Sequence, residues 1–334
     1  MMYCFPFSFQ KKTDSCLSFV SRVCLFSLLF LCSCGPEEID LVWTEQSSGV
    51  DTRLNAVFFT DENRGYAVGG KDFALGVLLE TNDAGQSWQV DSLTDKEINA
   101  LDFSLEGRGH NAGIKGLLRS DAEVRSWWLQ GLALNQSLPT MNDLSFYSNH
   151  KGVIVGGAAF QDGFILLLGA DYSVVAIDSF ENEISTVTFS DENTVHALGY
   201  GIVLRSTDGG LTWERNEVKS DFYRSVHFPS ANVGYAVGYV GTILKTTDAG
   251  VSWEKLRNGD KIFVGDKPFR SVFFSSEEQG YIVGDNGLFW TTSDGGEQWK
   301  EVRSFPDVDL HDVFVINGRG YIVGAEGRIF HFVD

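Results

Sequence analysis

The chain has 334 residues, among them 36 glycines and 6 prolines, and its formal net charge at pH 7 is −19. Glycine exceeds its usual share of about 7% and proline falls below about 5%, so the composition indicates a folded chain with many tight turns and excludes a collagen-like fibre. The acid excess and the absence of Lys/Arg-rich runs argue against nucleic-acid binding, because phosphate contacts need clustered cations.

The N-terminal segment predicts a secretory signal peptide. Basic side chains at positions 11, 12 and 22 precede an apolar stretch at 23–33. A basic region, a short apolar core and small residues at its end are typical of a cleaved signal, whereas a membrane-spanning helix needs about 20 apolar residues. We therefore expect residues 1–33 to be removed.

The residues Leu31-Cys32-Ser33-Cys34 resemble a bacterial lipobox. The resemblance implies that Cys34 is lipidated and that residues 34–41 tether the protein to a membrane of the cell envelope. Gly35 after the cysteine favours the outer membrane, on its periplasmic side or at the cell surface. A plain cleaved signal or a buried apolar segment is the alternative. All five cysteines lie in the first 34 residues, so no disulfide framework or Cys-ligated metal site is expected beyond them.

A repeat runs through the rest of the chain. An apolar pair of the form V-x-F or L-x-F, degenerate in its last copy, recurs at steps of 39 to 46 residues. The copies are Val57/Phe59, Leu101/Phe103, Leu144/Phe146, Val187/Phe189, Val226/Phe228, Val272/Phe274 and Val313/Val315. A second motif, Gly-Tyr-x-Val-Gly, follows each clear copy and is best preserved at 65–69, 234–238, 280–284 and 320–324.

A third motif, Ser/Thr-x-Asp-x-Gly-x-Ser/Thr-Trp, completes the repeat and is known as the Asp-box. Its four strong copies carry Asp83 and Trp88, Asp208 and Trp213, Asp248 and Trp253, and Asp294 and Trp299. An aspartate can accept N–H groups across its own turn, glycine supplies a positive φ, and tryptophan packs a large face beneath the hairpin. We therefore expect these residues to be structural rather than calcium ligands.

Each unit contains four short strands in about 43 residues and leaves no room for a helix, which is typical of a propeller blade. We predict an all-β, seven-bladed β-propeller of four-stranded antiparallel blades over residues 42–334. The seventh unit ends before any Trp strand, and the strand at Trp43 precedes the first unit. Pairing of the Trp43 strand into the last blade would close the ring and cover two open edges.

Motifs of catalysis are missing from the sequence. The chain has no Gly-x-Ser-x-Gly elbow, no His-Glu-x-x-His pair, no phosphate-binding loop and no Arg-Ile-Pro motif of the sialidases, which also carry Asp-boxes. The six histidines form no metal-ligand spacing, and each is expected at the surface or in a turn. We predict that the protein is not an enzyme and uses no metal or cofactor.

The Asp-boxes, the Gly-Tyr-x-Val-Gly strands and the lipobox together resemble the photosystem II stability/assembly factor-like family of lipid-anchored propellers. The resemblance covers residues 42–334, is strong in blades one and four to six, partial in seven, and weak in two and three. It implies a non-catalytic scaffold or assembly factor that binds protein partners at the bacterial cell envelope. We expect the protein to be a monomer. A glycan-binding or glycan-active envelope protein is the alternative, and a structural module of a larger surface assembly is a third reading.

One polar position recurs two residues before each V-x-F pair. Its members are Asn55, Asn99, Asn142, Ser185, Arg224, Arg270 and His311. Since side chains two apart share a strand face, we expect this position to continue the apolar file of the innermost strand to a rim of the central channel. Arg224, Arg270 and His311 would then form a basic arc that binds an acidic partner segment. Pairing of the arginines with neighbours such as Asp221 is the alternative.

Overall fold

The computed structural model describes residues 37–114, 116–134, 139–216, 218, 221–259, 268–303 and 305–333. The predicted signal peptide and Cys34 lie outside these residues. Within the described ranges no helix has the length and apolar character needed to cross a membrane.

Two strands, β1 (Glu37–Ile39) and β2 (Trp43–Gln46), precede seven antiparallel units that follow in chain order. Their strands are β3 (Arg53–Phe59), β4 (Gly65–Lys71), β5 (Leu75–Thr81) and β6 (Gln89–Thr94) in blade one; β7 (Ile98–Phe103), β8 (Gly109–Gly113), β9 (Gly116–Ser120) and β10 (Trp127–Leu129) in blade two; β11 (Met141–Ser148), β12 (Lys151–Ala158), β13 (Gln161–Leu168) and β14 (Val174–Asn182) in blade three; β15 (Ile184–Phe189), β16 (Val195–Gly199), β17 (Ile202–Ser206) and β18 (Glu214–Asn216) in blade four; β19 (Tyr223–His227), β20 (Gly234–Gly238), β21 (Ile243–Thr246) and β22 (Glu254–Arg257) in blade five; β23 (Phe269–Phe274), β24 (Gly280–Gly284), β25 (Phe289–Thr292) and β26 (Lys300–Val302) in blade six; and β27 (Leu310–Ile316), β28 (Arg319–Gly324) and β29 (Ile329–Val333) in blade seven. Short 3₁₀ turns lie at Ala170–Tyr172 and Ala325–Gly327.

The N-terminal strand closes the ring as predicted. Strand β2 pairs with β29, and Trp43 lies opposite Phe332. The Trp43 ring packs edge-on against Phe330 at 5.7 Å between centroids. The last blade therefore takes its outermost strand from the beginning of the repeat region, so the seven-bladed fold predicted from the sequence is confirmed.

Part of the segment expected to be a tether is a strand. Strand β1 lies beside β26 as a fifth strand of blade six, and the N–H of Arg303 donates to the carbonyl oxygen of Ile39 at 2.8 Å. Leu41 packs against the apolar cluster between blades six and seven. Residues 38–41 are consequently docked on the propeller.

Aromatic stacking joins neighbouring blades. Tyr235 of one Gly-Tyr-x-Val-Gly strand stacks on Phe274 of the next blade, with centroids 3.5 Å apart. Histidine takes this position in blades two and four, where His110 stacks on Phe146 at 3.6 Å and His196 on Phe228 at 4.1 Å. The expectation that every histidine lies at the surface or in a turn is therefore wrong, because these two rings are fully buried parts of the stack.

Close approach explains the two glycines of each Gly-Tyr-x-Val-Gly strand. A Cβ on the first glycine, as at Gly280, would collide with the ring of Phe274. A Cβ on the second, as at Gly284, would collide with the carbonyl oxygen of Pro268, which directly precedes the first strand. The repeat keeps glycine where ring and backbone fill the space that a side chain would need.

Candidate functional site

The Asp-box turns hold themselves together. In blade four, Asp208 accepts the N–H of Thr212 at 2.9 Å and its hydroxyl at 2.6 Å, and Ser206 donates to the same carboxylate at 2.7 Å. The Thr212 and Ser206 hydrogen bonds lower the pKa of Asp208 to about 2. Asp83, Asp248 and Asp294 accept equivalent bonds in blades one, five and six.

Three of the four box tryptophans pack against a phenylalanine of their own blade. Trp88 meets Phe59 edge-on at 6.1 Å, Trp253 meets Phe228 at 5.9 Å, and Trp299 meets Phe274 at 5.9 Å. Trp213 packs against the cluster between blades three and four. Each box therefore joins a polar turn to an apolar blade, which is a structural arrangement.

Blade two keeps the turn although its sequence is degenerate. Asp121 accepts the N–H of Arg125 and the hydroxyl of Ser126, both at 2.8 Å, and Val124 adopts a φ of +55° near the place of the usual glycine. In the parts of the chain that are described, no group of three or more His, Cys, Asp or Glu side chains is arranged to hold a metal ion.

The seven rim residues surround one cavity. All of them, Asn55, Asn99, Asn142, Ser185, Arg224, Arg270 and His311, line a cavity of about 580 Å³. Since they come from the innermost strands of all seven blades, the cavity is a mouth of the central channel. The seven residues therefore surround one opening, as the pseudo-symmetry of the blades predicts.

A β-bulge, rather than simple alternation, directs these side chains to the channel. The pairing of first and second strands shifts register at the rim residue in every blade, for example between Leu54 and Ala56 in blade one. In each blade the residue directly before the rim position, such as Leu54 or Ile98, is buried. This residue, and not the rim residue, continues the apolar face of the first strand. The expectation that the rim residue shares the face of the V-x-F valine is wrong, because the bulge adds one residue.

Five rim residues form a clasp to the next blade. Each donates a side-chain hydrogen bond to the carbonyl oxygen of the residue before the next rim position. The bonds are Asn55 to Ile98 (2.9 Å), Asn99 to Met141 (2.9 Å), Asn142 to Ile184 (3.1 Å), Ser185 to Tyr223, and His311 to Leu54 (2.8 Å). Among the described residues, Arg224 and Arg270 make no such bond, so the two arginines stand outside the structural pattern.

The residues one position before those whose carbonyl oxygens accept these bonds form a second ring around the channel. They decide which rim side chains have a carboxylate partner. Asn55 donates to Glu97 at 2.6 Å and Asn142 donates to Glu183 at 3.0 Å. The Nη2 atom of Arg270 lies 3.9 Å from Oδ2 of Asp309, and the Nε–H of Arg270 donates to the carboxylate of Asp285. The position that corresponds to these carboxylates for Arg224 is Pro268, which offers no charge.

The basic arc is therefore smaller than expected. Burial, with Arg270 nearby, lowers the pKa of His311, whose Nδ1 donates to a backbone carbonyl, so this ring is neutral at pH 7. Arg270 is paired with carboxylates. Asp221 does not pair with the arginines, since its carboxylate accepts the N–H groups of Phe222 and Thr242 at 2.7 and 3.0 Å. Arg224 is then the charged member of the arc that makes no ion pair among the described residues, and Glu183 and Asp285 act on it only from a longer distance.

Carboxylates occupy the channel below the rim, which the sequence did not reveal. Asp143 and Asp312 line the cavity. Burial raises the pKa of Asp143 to about 7 and that of Asp312 to about 6. Each also bonds to a neighbouring blade, as when Asp312 accepts the N–H of Val57 at 2.9 Å. Nothing in the repeat pattern marks them, because the equivalent positions in other blades hold Ala, Ser or Thr.

Comparison with known proteins agrees with this architecture. Residues 168–266 match the family model described as Photosynthesis system II assembly factor YCF48. A structure of YCF48 bound to D1 peptide is 17% identical, with a TM-score of 0.70 over 90% of this chain and 100% of that chain. YCF48 from Cyanidioschyzon merolae is also 17% identical, with a TM-score of 0.66 over 87% and 98%.

The fold is also shared with proteins of other families. A structure of U3-55K has a TM-score of 0.71 at 9% identity, over 90% of this chain and 100% of that chain. No curated protein matches the sequence. The family match spans blades four and five, including Arg224. The match over residues 168–266 agrees with the family resemblance that the motifs indicate, and the solved structures share the β-propeller fold of this chain.

Proposed function

We propose that this protein is a non-catalytic, lipid-anchored scaffold that binds a partner protein at the mouth of its channel and so assembles or stabilises a complex at the bacterial cell envelope. The observation that carries the proposal is Arg224, a cation at the cavity that has no carboxylate partner among the described residues. The family match and the relative that is described bound to a D1 peptide support a protein as the ligand.

The environment of Arg224 suits an acidic partner segment. Burial lowers the pKa of its guanidinium, and the positive charge of Arg270 lowers it further, yet an arginine remains charged at pH 7. Its Cζ atom lies 4.9 Å from the centroid of the Phe222 ring. A guanidinium that is partly withdrawn from water gains a charge-assisted bond when a carboxylate arrives. A partner carboxylate would supply the counter-charge that Pro268 does not.

Affinity capture from membranes tests the scaffold directly. With a tag after Asp334, the wild-type protein should recover a stoichiometric protein partner, and Arg224→Gln should weaken that capture about tenfold or more, the loss expected for a hydrogen bond to a charged group. Arg125→Gln is the matched control, since its ion pair with Glu123 is exposed and lies at a box turn. Equal capture by wild type and Arg224→Gln, or retention on a glycan array without any protein partner, would contradict the proposal.

The lipid anchor is tested separately. We propose that Cys34 carries the anchor and that the protein lies at the outer membrane, which Gly35 after the cysteine favours. In the sequence, two residues, Gly35 and Pro36, lie between Cys34 and the first residue of strand β1. Cys34→Ala should abolish acyl labelling and release the protein from membranes. Unchanged attachment without an acyl label would overturn the anchor.

A further inference from the structure

Exposed aromatic side chains mark the turns around the cavity mouth. The second strand of each blade ends opposite the start of the first, as in the pairing of Met141 with Gly156, so the turns between second and third strands lie on the rim face. Exposed aromatic rings occupy these turns in blades one, three, four and five. They are Phe73, Phe160, Tyr200 and Tyr239.

Two of these rings form a contiguous cluster with Phe222. Phe160 lies 5.1 Å from Tyr200 and 5.4 Å from Phe222, and Tyr200 lies 6.0 Å from Phe222, between centroids. The guanidinium of Arg224 lies over the ring of Phe222. We call Phe160, Tyr200 and Phe222 the aromatic sector. It adjoins Arg224, the rim arginine that makes no ion pair among the described residues, and about half of Phe160 and of Tyr200 is exposed.

The backbone under Phe160 is held in an unfavourable conformation. Ala159 and Phe160 form a two-residue turn between β12 and β13 with φ values of +52° and +69°. Such turns favour Asn-Gly, and a bulky residue at positive φ is an outlier. Glu183 holds the turn from both sides, since its carboxylate accepts the Phe160 N–H at 2.7 Å and its own N–H donates to the Phe160 carbonyl at 3.3 Å. Backbone strain of this kind is typical of functional positions, and the turn presents a half-exposed aromatic ring.

We propose, on the basis of the proposed function, that the aromatic sector and Arg224 together bind a partner segment in which a carboxylate adjoins a large apolar side chain. The carboxylate pairs with Arg224 and the apolar side chain packs on Phe160 and Tyr200. A cationic side chain is disfavoured because Arg224 already covers the Phe222 face.

A short peptide series tests this specificity on the full-length protein in detergent. The probes are acetylated, amidated peptides that contain Glu-Phe or Phe-Glu between glycines, together with versions in which Gln or Lys replaces Glu or Ala replaces Phe. Saturation-transfer NMR at millimolar concentrations should detect a Glu/Phe peptide, and each single replacement should weaken binding by about fivefold or more. Absence of any signal from both Glu/Phe peptides, or equal binding of the Lys version, would overturn the proposal.

Protein variants separate binding from folding. Phe160→Asn places a residue that tolerates positive φ in the turn and keeps the N–H bond to Glu183. This variant should melt at the wild-type temperature or above it, yet bind the Glu/Phe peptide about fivefold to tenfold more weakly. Phe73→Ala is the matched control, because Phe73 occupies the corresponding turn of blade one without the sector, and it should bind like wild type. A lowered melting temperature, or wild-type affinity, in Phe160→Asn would refute the inference.

The inference and the proposed function fail differently. If membrane capture of a protein partner is lost in Arg224→Gln but kept in Phe160→Asn, the scaffold stands and the aromatic sector does not take part. If wild-type protein captures no partner at all, the proposed function itself fails, and with it the inference.

Discussion

The two faces of this propeller use their turns in opposite ways. On one face, the Asp-box turns carry carboxylates whose hydrogen bonds come from their own turn, as Asp208 shows with Thr212 and Ser206. On the other, the turns and rim positions vary from blade to blade, and Arg224 and Phe160 direct charge and apolar surface outward. Repetition thus marks the residues that build the blade, and departure from the repeat marks those that we propose as partner contacts.

The largest effect is expected from the shared core. Phe274 lies between Tyr235 of the preceding blade and Trp299 of its own Asp-box, and is fully buried. Phe274→Ala should lower the free energy of unfolding by about 3–5 kcal/mol, the usual cost of removing a buried aromatic ring. Chemical denaturation measures this loss. A cost below that of Val315→Ala, the degenerate V-x-F position, would contradict the stacking account.

The next effect comes from the box turn. Asp208→Ala removes the acceptor of four hydrogen bonds and should lower the melting temperature at pH 7. The folded pKa of about 2 lies below the unfolded value near 3.8, so the stabilisation is present above pH 4 and is lost as the pH falls toward 2. The difference between wild type and variant should shrink over that range. Asp91→Ala, on the exposed strand β6, serves as the control and should leave the melting temperature unchanged.

A smaller, pH-dependent effect comes from the buried histidines. Burial, with Arg205 nearby, lowers the pKa of His196 to about 3. The unfolded ring titrates near 6.5, so stability is lost as the pH falls from about 6.5 toward 3. His196→Phe keeps a ring on Phe228 but removes the proton site, and its melting temperature should change less between pH 7 and pH 5 than that of wild type. Parallel curves for the two proteins would show that His196 does not contribute.

The smallest effect on stability is expected at Arg224, where the effect on binding is largest. Arg224→Gln removes no ion pair or clasp among the described residues, so the free energy of unfolding should change by about 0.5 kcal/mol or less. Asn142→Ala, at the same rim position of blade three, breaks the bonds to Ile184 and Glu183 and should cost about 1 kcal/mol or more. Thermal melts of the two variants measure the contrast, and equal losses would remove the distinction between clasp and contact residues.

Much of the fold was predictable because it rests on local and repeated chemistry. The spacing of V-x-F pairs, the glycine strands and the Asp-boxes defined the blades, and the Trp43 strand without a blade of its own indicated how the ring closes. The buried histidines were missed because His110 and His196 occupy a tyrosine position in weak copies of the motif. An alignment of the blades by their second strand would have revealed this.

The candidate site was only partly predictable. The seven polar residues could be placed on one circle from sequence periodicity alone. Their hydrogen-bond and ion-pair partners could not be predicted, because Asn55 meets Glu97 and Arg270 meets Asp309 across a boundary between blades. The bulge that turns the rim side chains inward was missed as well, because its only trace in the sequence is one extra residue between apolar positions. The aromatic sector is likewise assembled from three blades.

The sequence by itself therefore determined the repeat, the number of blades and the turns that hold each blade together, since hydrogen bonds and strand periodicity act over a few residues. Only the tertiary structure decided which cation lacks a counter-charge and which aromatic rings meet. Those contacts join residues about 40 positions apart, and they depend on how neighbouring blades pack around the channel.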